Sequence, residues 1–163
     1  MTQPPYTSSC KCGQVRFEAA SSPAFNVVCY CTDCQAAGAA LHTEMGCETP
    51  CEADGGTSYS SFLEKDWHCV SGEDKIRAHK LKPDSPSTRY VASCCQTPLY
   101  LNYAPGFWVS TYRKPFTNAL PPMKWRIKTS DRTSDLPYPD NIPRFKGFPL
   151  RLYGALLKAK WRR

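Results

Sequence analysis

Three cysteines of this chain fall close together in the spacing C-x-C-x-x-C. They are Cys29, Cys31 and Cys34. A loop of this kind can turn three sulfurs toward one point, where a soft cation that prefers thiolates, such as zinc, would sit. Structural zinc takes four protein ligands, whereas catalytic zinc keeps one position open for water or substrate. The function therefore depends on whether a distant residue supplies a fourth ligand.

Residues near this loop could assist the site or close it. Asp33, inside the loop, and His42, shortly after it, are candidates for a general acid or base. Asp33 could instead accept backbone N–H bonds that hold the loop in shape. His42, Cys47 or Cys51 could fill the fourth position, and the site would then be structural.

A second set of cysteines comes from two distant segments. Cys10 and Cys12 precede the first predicted strand, and Cys94 and Cys95 follow more than eighty residues later. One zinc bound by all four thiolates would be closed and structural, and would join the two segments. Neighbouring side chains of extended backbone point to opposite faces. Either a turn brings both Cys94 and Cys95 inward, or only Cys95 binds and another ligand completes the site.

Composition narrows the class of protein. The chain has 163 residues, ten cysteines and a formal net charge of +7. Cysteines clustered two and three apart favour metal sites over disulfides. We see neither a leader sequence nor an apolar run that could span a bilayer, so we expect a cytoplasmic protein without a membrane partner. The basic residues lack the aromatic interleaving of a single-strand binder, so we do not expect a nucleic-acid partner. A homo-oligomer remains open.

Short strands separated by turns predict an all-β domain of antiparallel sheets. Alternating or β-rich runs occur at residues 14–19, 25–28, 57–62, 67–70, 76–81, 88–92 and 99–103. An Ala-rich run at 35–41 predicts one or two helical turns after the cysteine loop. These elements would place the cysteine clusters at strand ends.

The composition changes after residue 112. Prolines interrupt the chain, so we predict a zinc-binding β domain over 1–112 and a Pro-rich, basic extension over 113–163 that packs on it. A short C-terminal helix is expected within 150–161, because four apolar residues share one helical face, namely Leu150, Tyr153, Leu157 and Trp161. We expect this face to pack on the domain, and the alternative is a basic amphipathic helix at a membrane surface.

The order of the motifs resembles a known family. The chain shows C-x-C-G at Cys10–Gly13, C-x-C-x-x-C at Cys29–Cys34, C-x-T-P-L from Cys95, and V-S-G-E-D from Val70. Together they resemble the glutathione-dependent formaldehyde-activating enzyme and centromere protein V family, over about residues 10–103. That family usually ends in C-x-x-C-G-T, and Ala92 stands where its first cysteine falls, with Cys94 as the nearest substitute. The Cys-Cys-x-Thr-Pro form therefore looks like an uncharacterised branch of the same superfamily.

The resemblance implies a β-tent, two layers of antiparallel sheet clasped by zinc. It implies one structural zinc held by the first and last clusters and a second zinc, catalytic in our interpretation, held by Cys29, Cys31 and Cys34. It also implies carbon–sulfur chemistry: a lyase or thiol-adduct enzyme acting on a small electrophile, with glutathione as a possible co-substrate. The rival hypothesis is a zinc-stabilised module that binds protein or nucleic acid without catalysis, and a third hypothesis is a redox enzyme with Cys47 or Cys51 as its nucleophile.

Overall fold

Two β-sheets and two α-helices account for most of the secondary structure. The computed structural model describes residues 6–162. The strands are β1 Tyr6–Ser9, β2 Arg16–Ala19, β3 Phe25–Cys29, β4 Thr57–Leu63, β5 Trp67–Ser71, β6 Ile76–His79, β7 Ser87–Ala92, β8 Thr97–Tyr103, β9 Trp108–Tyr112 and β10 Trp125–Ile127. The α-helices are α1 Thr32–Met45 and α2 Leu150–Lys160, and short 3₁₀ turns span Glu64–Asp66, Glu73–Lys75 and Thr129–Asp131. The protein is therefore mainly β with two helices, rather than all-β as predicted.

The smaller sheet has the order β1-β2-β5 and the larger has the order β10-β3-β4-β9-β8-β7-β6. Every described pairing between named strands is antiparallel except one, because β10 runs parallel to β3. In that pair Ile127 lies opposite Cys29. The segment after residue 112 thus contributes a strand beside β3. This strand was not predicted, because the segment is rich in proline.

The larger sheet buries both of its faces. Tyr59 and Phe62 of β4 point to opposite sides and belong to separate apolar clusters. On the Phe62 side the smaller sheet packs over it, with Trp67 of β5 stacked on Phe62 at a ring-centroid distance of 5.6 Å. On the Tyr59 side the cluster includes residues of both helices. The three-cysteine loop lies on this helical side.

Helix α1 is longer than its Ala-rich core indicates. It spans 14 residues instead of one or two turns, because both ends are capped. Cys31 is the N-cap residue and its sulfur accepts a hydrogen bond from the Cys34 N–H. Gly46 ends the helix in the left-handed conformation, with φ of 68°, and donates its N–H to the Leu41 carbonyl. The predicted metal loop is thus also the start of a helix.

Helix α2 forms where it was predicted but buries a different face. Leu152, Leu156 and Ala159 are buried against the sheet. The predicted face is exposed instead, with 86% of Leu150 and 82% of Trp161 accessible to solvent. Both stripes have helical spacing, and only the position of β3 decides which of them packs. Neither helix within residues 6–162 has the length and apolar character to cross a membrane.

A buried polar network attaches β10 to the segment that carries the three cysteines. Arg126 of β10 is only 3% exposed. One of its nitrogens donates to the Tyr30 hydroxyl and lies 3.4 Å from Asp54, and another lies 2.9 Å from Asp140. Tyr30 in turn donates to Asp54 at 2.6 Å. These bonds fix the backbone between Cys29 and Cys31.

Candidate metal centres

The structure brings Cys29, Cys31 and Cys34 into one cluster. Their sulfur atoms all lie within 4.8 Å of one another. Cys29 ends β3, Cys31 caps α1 and Cys34 lies in the first turn of that helix. The strand therefore delivers one sulfur and the helix start delivers two, so the spacing C-x-C-x-x-C corresponds to a strand-to-helix junction.

Among residues 6–162, no fourth His, Cys, Asp or Glu joins this group. His42 lies two helical turns beyond Cys34, about 12 Å along the axis, and its Nδ1 bonds to the Cys47 carbonyl at 2.8 Å. Cys47 is buried in the core. The Cys51 sulfur lies 3.5 Å from the Thr57 hydroxyl and 3.7 Å from the Cys34 carbonyl oxygen, but it is not part of the group whose sulfurs lie within 4.8 Å of one another. The predictions that His42, Cys47 or Cys51 closes the site, or that His42 acts beside it, are therefore not supported by the geometry.

Hydrogen bonds among the three thiols shift their pKa values in different directions. Bonds from Cys29 and Cys34 lower the pKa of Cys31 to about 3. A bond with Cys29 acts to lower the pKa of Cys34, but the bond with Cys31 and burial outweigh it and raise that pKa to about 12. Bonds with Cys31 and Cys34, together with burial, raise the pKa of Cys29. These hydrogen bonds therefore favour the thiolate form at Cys31 over the other two cysteines, and Cys31 lies at the positive end of α1.

A cavity of about 620 Å³ opens beside this cluster. All three cysteines contribute to its wall, as does Asp33, which is exposed in the first turn of α1. The remaining wall is largely apolar and includes Trp108 of β9 and Leu152 of α2. Its size is that of a small-molecule site. The open side of the three-cysteine cluster therefore faces a space that can hold a ligand.

Two residues of this cavity were not among the metal ligands and catalytic residues predicted from the sequence. Tyr59 of β4 is 4% exposed and its hydroxyl lies 3.5 Å from the Cys34 sulfur. Arg89 of β7 is 1% exposed, and its Nη2 donates to the Asp33 carbonyl at 3.4 Å. Within residues 6–162 the Nε and Nη1 atoms of Arg89 have no hydrogen-bond partner. The one sequence signal for Arg89 was its place in the alternating strand predicted at 88–92. Arginine is seldom buried without a partner, so an arginine in a half-buried strand is a candidate for a binding role.

The second cluster contains all four cysteines predicted for it. The Cys10 sulfur lies 3.6 Å from Cys12 and 3.8 Å from Cys94, and Cys12 lies 3.3 Å from Cys94. Cys95 lies 3.9 Å from Cys94, and all four sulfurs lie within 4.8 Å of one another. Four sulfurs bound to one zinc at about 2.3 Å lie about 3.8 Å apart in a tetrahedron. The donor set and its spacing therefore suit a zinc ion.

A tight turn lets both adjacent cysteines face the same point. After β7 ends at Ala92, the Gln96 N–H donates to the Ala92 carbonyl at 2.8 Å. Gln96 adopts the left-handed conformation, with φ of 56°. The curled backbone removes the strand alternation that would have separated Cys94 from Cys95. Ala92, which stands where the C-x-x-C-G-T motif has its first cysteine, is fully buried in the core. Cys94 supplies the fourth sulfur of the cluster in its place.

Comparison with known proteins identifies the family. The chain belongs to a family of unknown function, DUF6151, whose model matches residues 5–108 and so includes both cysteine clusters. It is also similar to a Rhodobacter sphaeroides protein solved as Northeast Structural Genomics target RhR83. That similarity has 13% identity and a TM-score of 0.48, over 71% of this chain and 91% of the other. No curated protein matches the chain.

Proposed function

We propose that this protein is a zinc-dependent enzyme of carbon–sulfur chemistry that joins a thiol to a small aldehyde or cleaves such an adduct. One observation carries the proposal: the three-cysteine cluster has no fourth protein ligand in residues 6–162 and faces a cavity of about 620 Å³. Zinc held by three thiolates retains one position for an exogenous ligand. A soft substrate thiol matches that position. The order of the cysteine motifs, which resembles the formaldehyde-activating enzymes, supports the same chemistry.

The reaction needs neither an oxidant nor a reductant. The sulfur of the thiol forms a bond to the carbonyl carbon, and the proton of the thiol passes to the carbonyl oxygen, which gives a hemithioacetal. The reverse breaks the carbon–sulfur bond and releases aldehyde and thiol. A bound zinc would supply an open position and favour the thiolate form of the substrate. Glutathione is one candidate thiol.

The residues of the cavity have distinct tasks in this proposal. Cys29, Cys31 and Cys34 would hold the metal. Asp33, exposed at the edge of the cavity, receives the thiol proton and returns it to the carbonyl oxygen. The Tyr59 hydroxyl, 3.5 Å from the Cys34 sulfur, stabilises that ligand through a hydrogen bond. The apolar wall excludes water that would otherwise hydrate the aldehyde.

The test measures adduct exchange on the zinc-loaded protein. Formaldehyde or glyoxylate is mixed with glutathione or a small thiol, and the exchange between free aldehyde and adduct is followed by NMR. Cys31→Ser, which leaves the four-cysteine site intact, and metal-stripped protein serve as controls. We expect exchange that depends on zinc and on Cys31. If none of these pairs exchanges faster with the loaded protein than with Cys31→Ser, the enzyme proposal is wrong for these substrates.

A zinc-stabilised binding module is the second candidate. The exposed apolar face of α2, with Leu150, Leu157 and Trp161, is the observation that favours it. Such faces often mark interaction sites. The two candidates differ at the three-cysteine site, because only the enzyme needs an exchangeable position there. If the loaded site accepts neither thiol nor imidazole as a ligand, as judged from the spectrum of the cobalt-substituted protein, the module is favoured.

A further inference from the structure

Arg89 is a buried cation whose hydrogen-bonding capacity is largely unused. The residue is 1% exposed, yet its Nε and Nη1 atoms have no partner within residues 6–162. A guanidinium carries five donors, and burying polar groups without partners is unfavourable. Its Nη2 donates to the Asp33 carbonyl at 3.4 Å, which fixes the group beside the start of α1. The side chains of Cys34, Tyr59 and Tyr112 interact with the guanidinium electrostatically, but its Nε and Nη1 donors still need acceptors.

The position of Arg89 indicates where that acceptor comes from. Arg89 lines the same cavity as Cys29, Cys31 and Cys34. The cavity has one other cation, Lys128, but its ammonium lies 3.3 Å from the Asp131 carboxylate, which also lines the cavity. The remaining carboxylate of the wall is Asp33, which is exposed, and the Cys31 sulfur, whose pKa is lowered, belongs to the metal-binding cluster. Arg89 is therefore the cation of this cavity that no described carboxylate neutralises.

We propose that Arg89 recognises the negative charge of the substrate, so that the cavity selects small anionic thiols, such as mercaptocarboxylates, and their aldehyde adducts. The thiol of such a molecule would occupy the open metal position, and its carboxylate would accept hydrogen bonds from Nε or Nη1 of Arg89. The apolar wall would contact the carbon atoms between them. This assignment rests on the proposed function, since it presupposes that thiols enter the three-cysteine site.

The test uses cobalt-loaded protein, because cobalt in a thiolate site absorbs visible light and its spectrum reports a new ligand. Mercaptoacetate and its neutral isostere 2-mercaptoacetamide are titrated at one pH into the wild type, Arg89→Gln, Arg89→Lys and the control Lys128→Gln. The ratio of the two dissociation constants is compared between proteins, so that differences between the thiols cancel. This readout measures binding and does not depend on turnover.

We expect Arg89→Gln to lower the relative affinity for mercaptoacetate about tenfold or more, the loss typical of a charged hydrogen bond. Arg89→Lys keeps the charge and should retain part of the preference, and Lys128→Gln should change the ratio less than twofold. Should Arg89→Gln not fold, Arg89→Lys and competition by acetate against acetamide in the wild type measure the same preference.

Two contrary outcomes separate this inference from the function on which it rests. If both thiols bind and Arg89→Gln weakens them equally, Arg89 only balances the charge of the cysteine thiolates and the assignment is overturned. If acetate competes no better than acetamide, it is likewise overturned. If no thiol alters the spectrum of the cobalt-loaded wild type, the proposed function fails together with the assignment.

Discussion

The sulfur atoms of Cys12 and Cys94 lie 3.3 Å apart although 82 residues separate them in the chain. Cys12 belongs to the turn between β1 and β2 of the smaller sheet, and Cys94 follows β7 of the larger sheet. One metal ion at this point therefore connects the two sheets. Because the unfolded chain cannot offer the same four ligands together, metal binding stabilises the folded state.

Removing this metal should lower the stability of the whole fold. We expect Cys12→Ser, or a strong chelator, to reduce the free energy of unfolding by about 4 kcal/mol where free zinc exceeds its dissociation constant a thousandfold. Urea titration measures the change. Cys69→Ser is the matched control, because the Cys69 thiol bonds to the Ser71 carbonyl outside both clusters and a hydroxyl can replace it. Equal stability of Cys12→Ser and the wild type in saturating zinc would contradict the role of the cluster.

Gln96 allows a second test, because it holds a left-handed conformation at φ of 56° in the turn that aligns Cys94 and Cys95. A β-branched side chain tolerates this region poorly, so Gln96→Val should destabilise the protein by about 1–2 kcal/mol. Gln96→Gly relieves the strain but loses a side-chain bond to the Ser93 carbonyl, and should stay within about 0.5 kcal/mol of the wild type. Urea unfolding of the zinc-loaded proteins compares the two. If Gln96→Val and Gln96→Gly lost the same free energy of unfolding, the side-chain hydrogen bond to Ser93, and not the left-handed backbone, would determine the stability of this turn.

The sequence indicated the seven clustered cysteines because metal ligands have short, local spacings. It also indicated most strands, since alternation within 57–62 or 88–92 depends only on neighbouring residues. The length of α1 was underestimated because a cysteine acted as the N-cap, which is not among the usual capping residues.

Structural features that depend on residues far away in the chain could not be predicted from the local sequence. Strand β10 is three residues long and becomes a strand only because β3 lies beside it. The buried face of α2 was assigned to Leu150 and Trp161, since two apolar stripes of equal spacing cannot be ranked without the sheet. Arg89 is buried because the start of α1 and residues of β4 and β9 lie against it, and nothing local to Ser87–Ala92 specifies those neighbours.

Arg126 should be among the most sensitive positions outside the clusters. Replacing it by Met leaves Asp54 buried without its cation, and we expect a loss of about 3 kcal/mol in the free energy of unfolding. The double variant Arg126→Met with Asp54→Asn removes both charges and should recover part of this loss. Urea titration of the single and double variants measures the coupling. Additive losses would mean that the two side chains stabilise the fold independently.

The ion pair between Arg126 and Asp140 makes the stability of the fold depend on pH. The hydrogen bond from Arg126 lowers the pKa of Asp140, so this carboxylate contributes stability above its ordinary pKa and loses it as the pH falls through the lowered value. The difference in unfolding free energy between wild type and Asp140→Asn should be constant from about pH 5 to 8 and shrink below about pH 4. Asp135→Asn, which removes an exposed carboxylate of the same segment, is the control. If the difference in unfolding free energy between wild type and Asp140→Asn grew as the pH fell, the pKa of Asp140 would be raised rather than lowered by folding.

Cys31→Ser should separate metal binding at the open site from folding. Serine is a preferred N-cap residue and can accept the bond that the Cys34 N–H now donates to the Cys31 sulfur, so α1 should remain intact. Loss of one of three thiolates should nevertheless weaken zinc binding there by about a hundredfold or more, since the soft ligand is replaced by a hard one. Mass spectrometry under native conditions should count two zinc ions in the wild type and one in Cys31→Ser, and thermal unfolding should shift by less than in Cys12→Ser. If Cys31→Ser unfolds as readily as Cys12→Ser, the three-cysteine site supports the fold and its open position has no separate role.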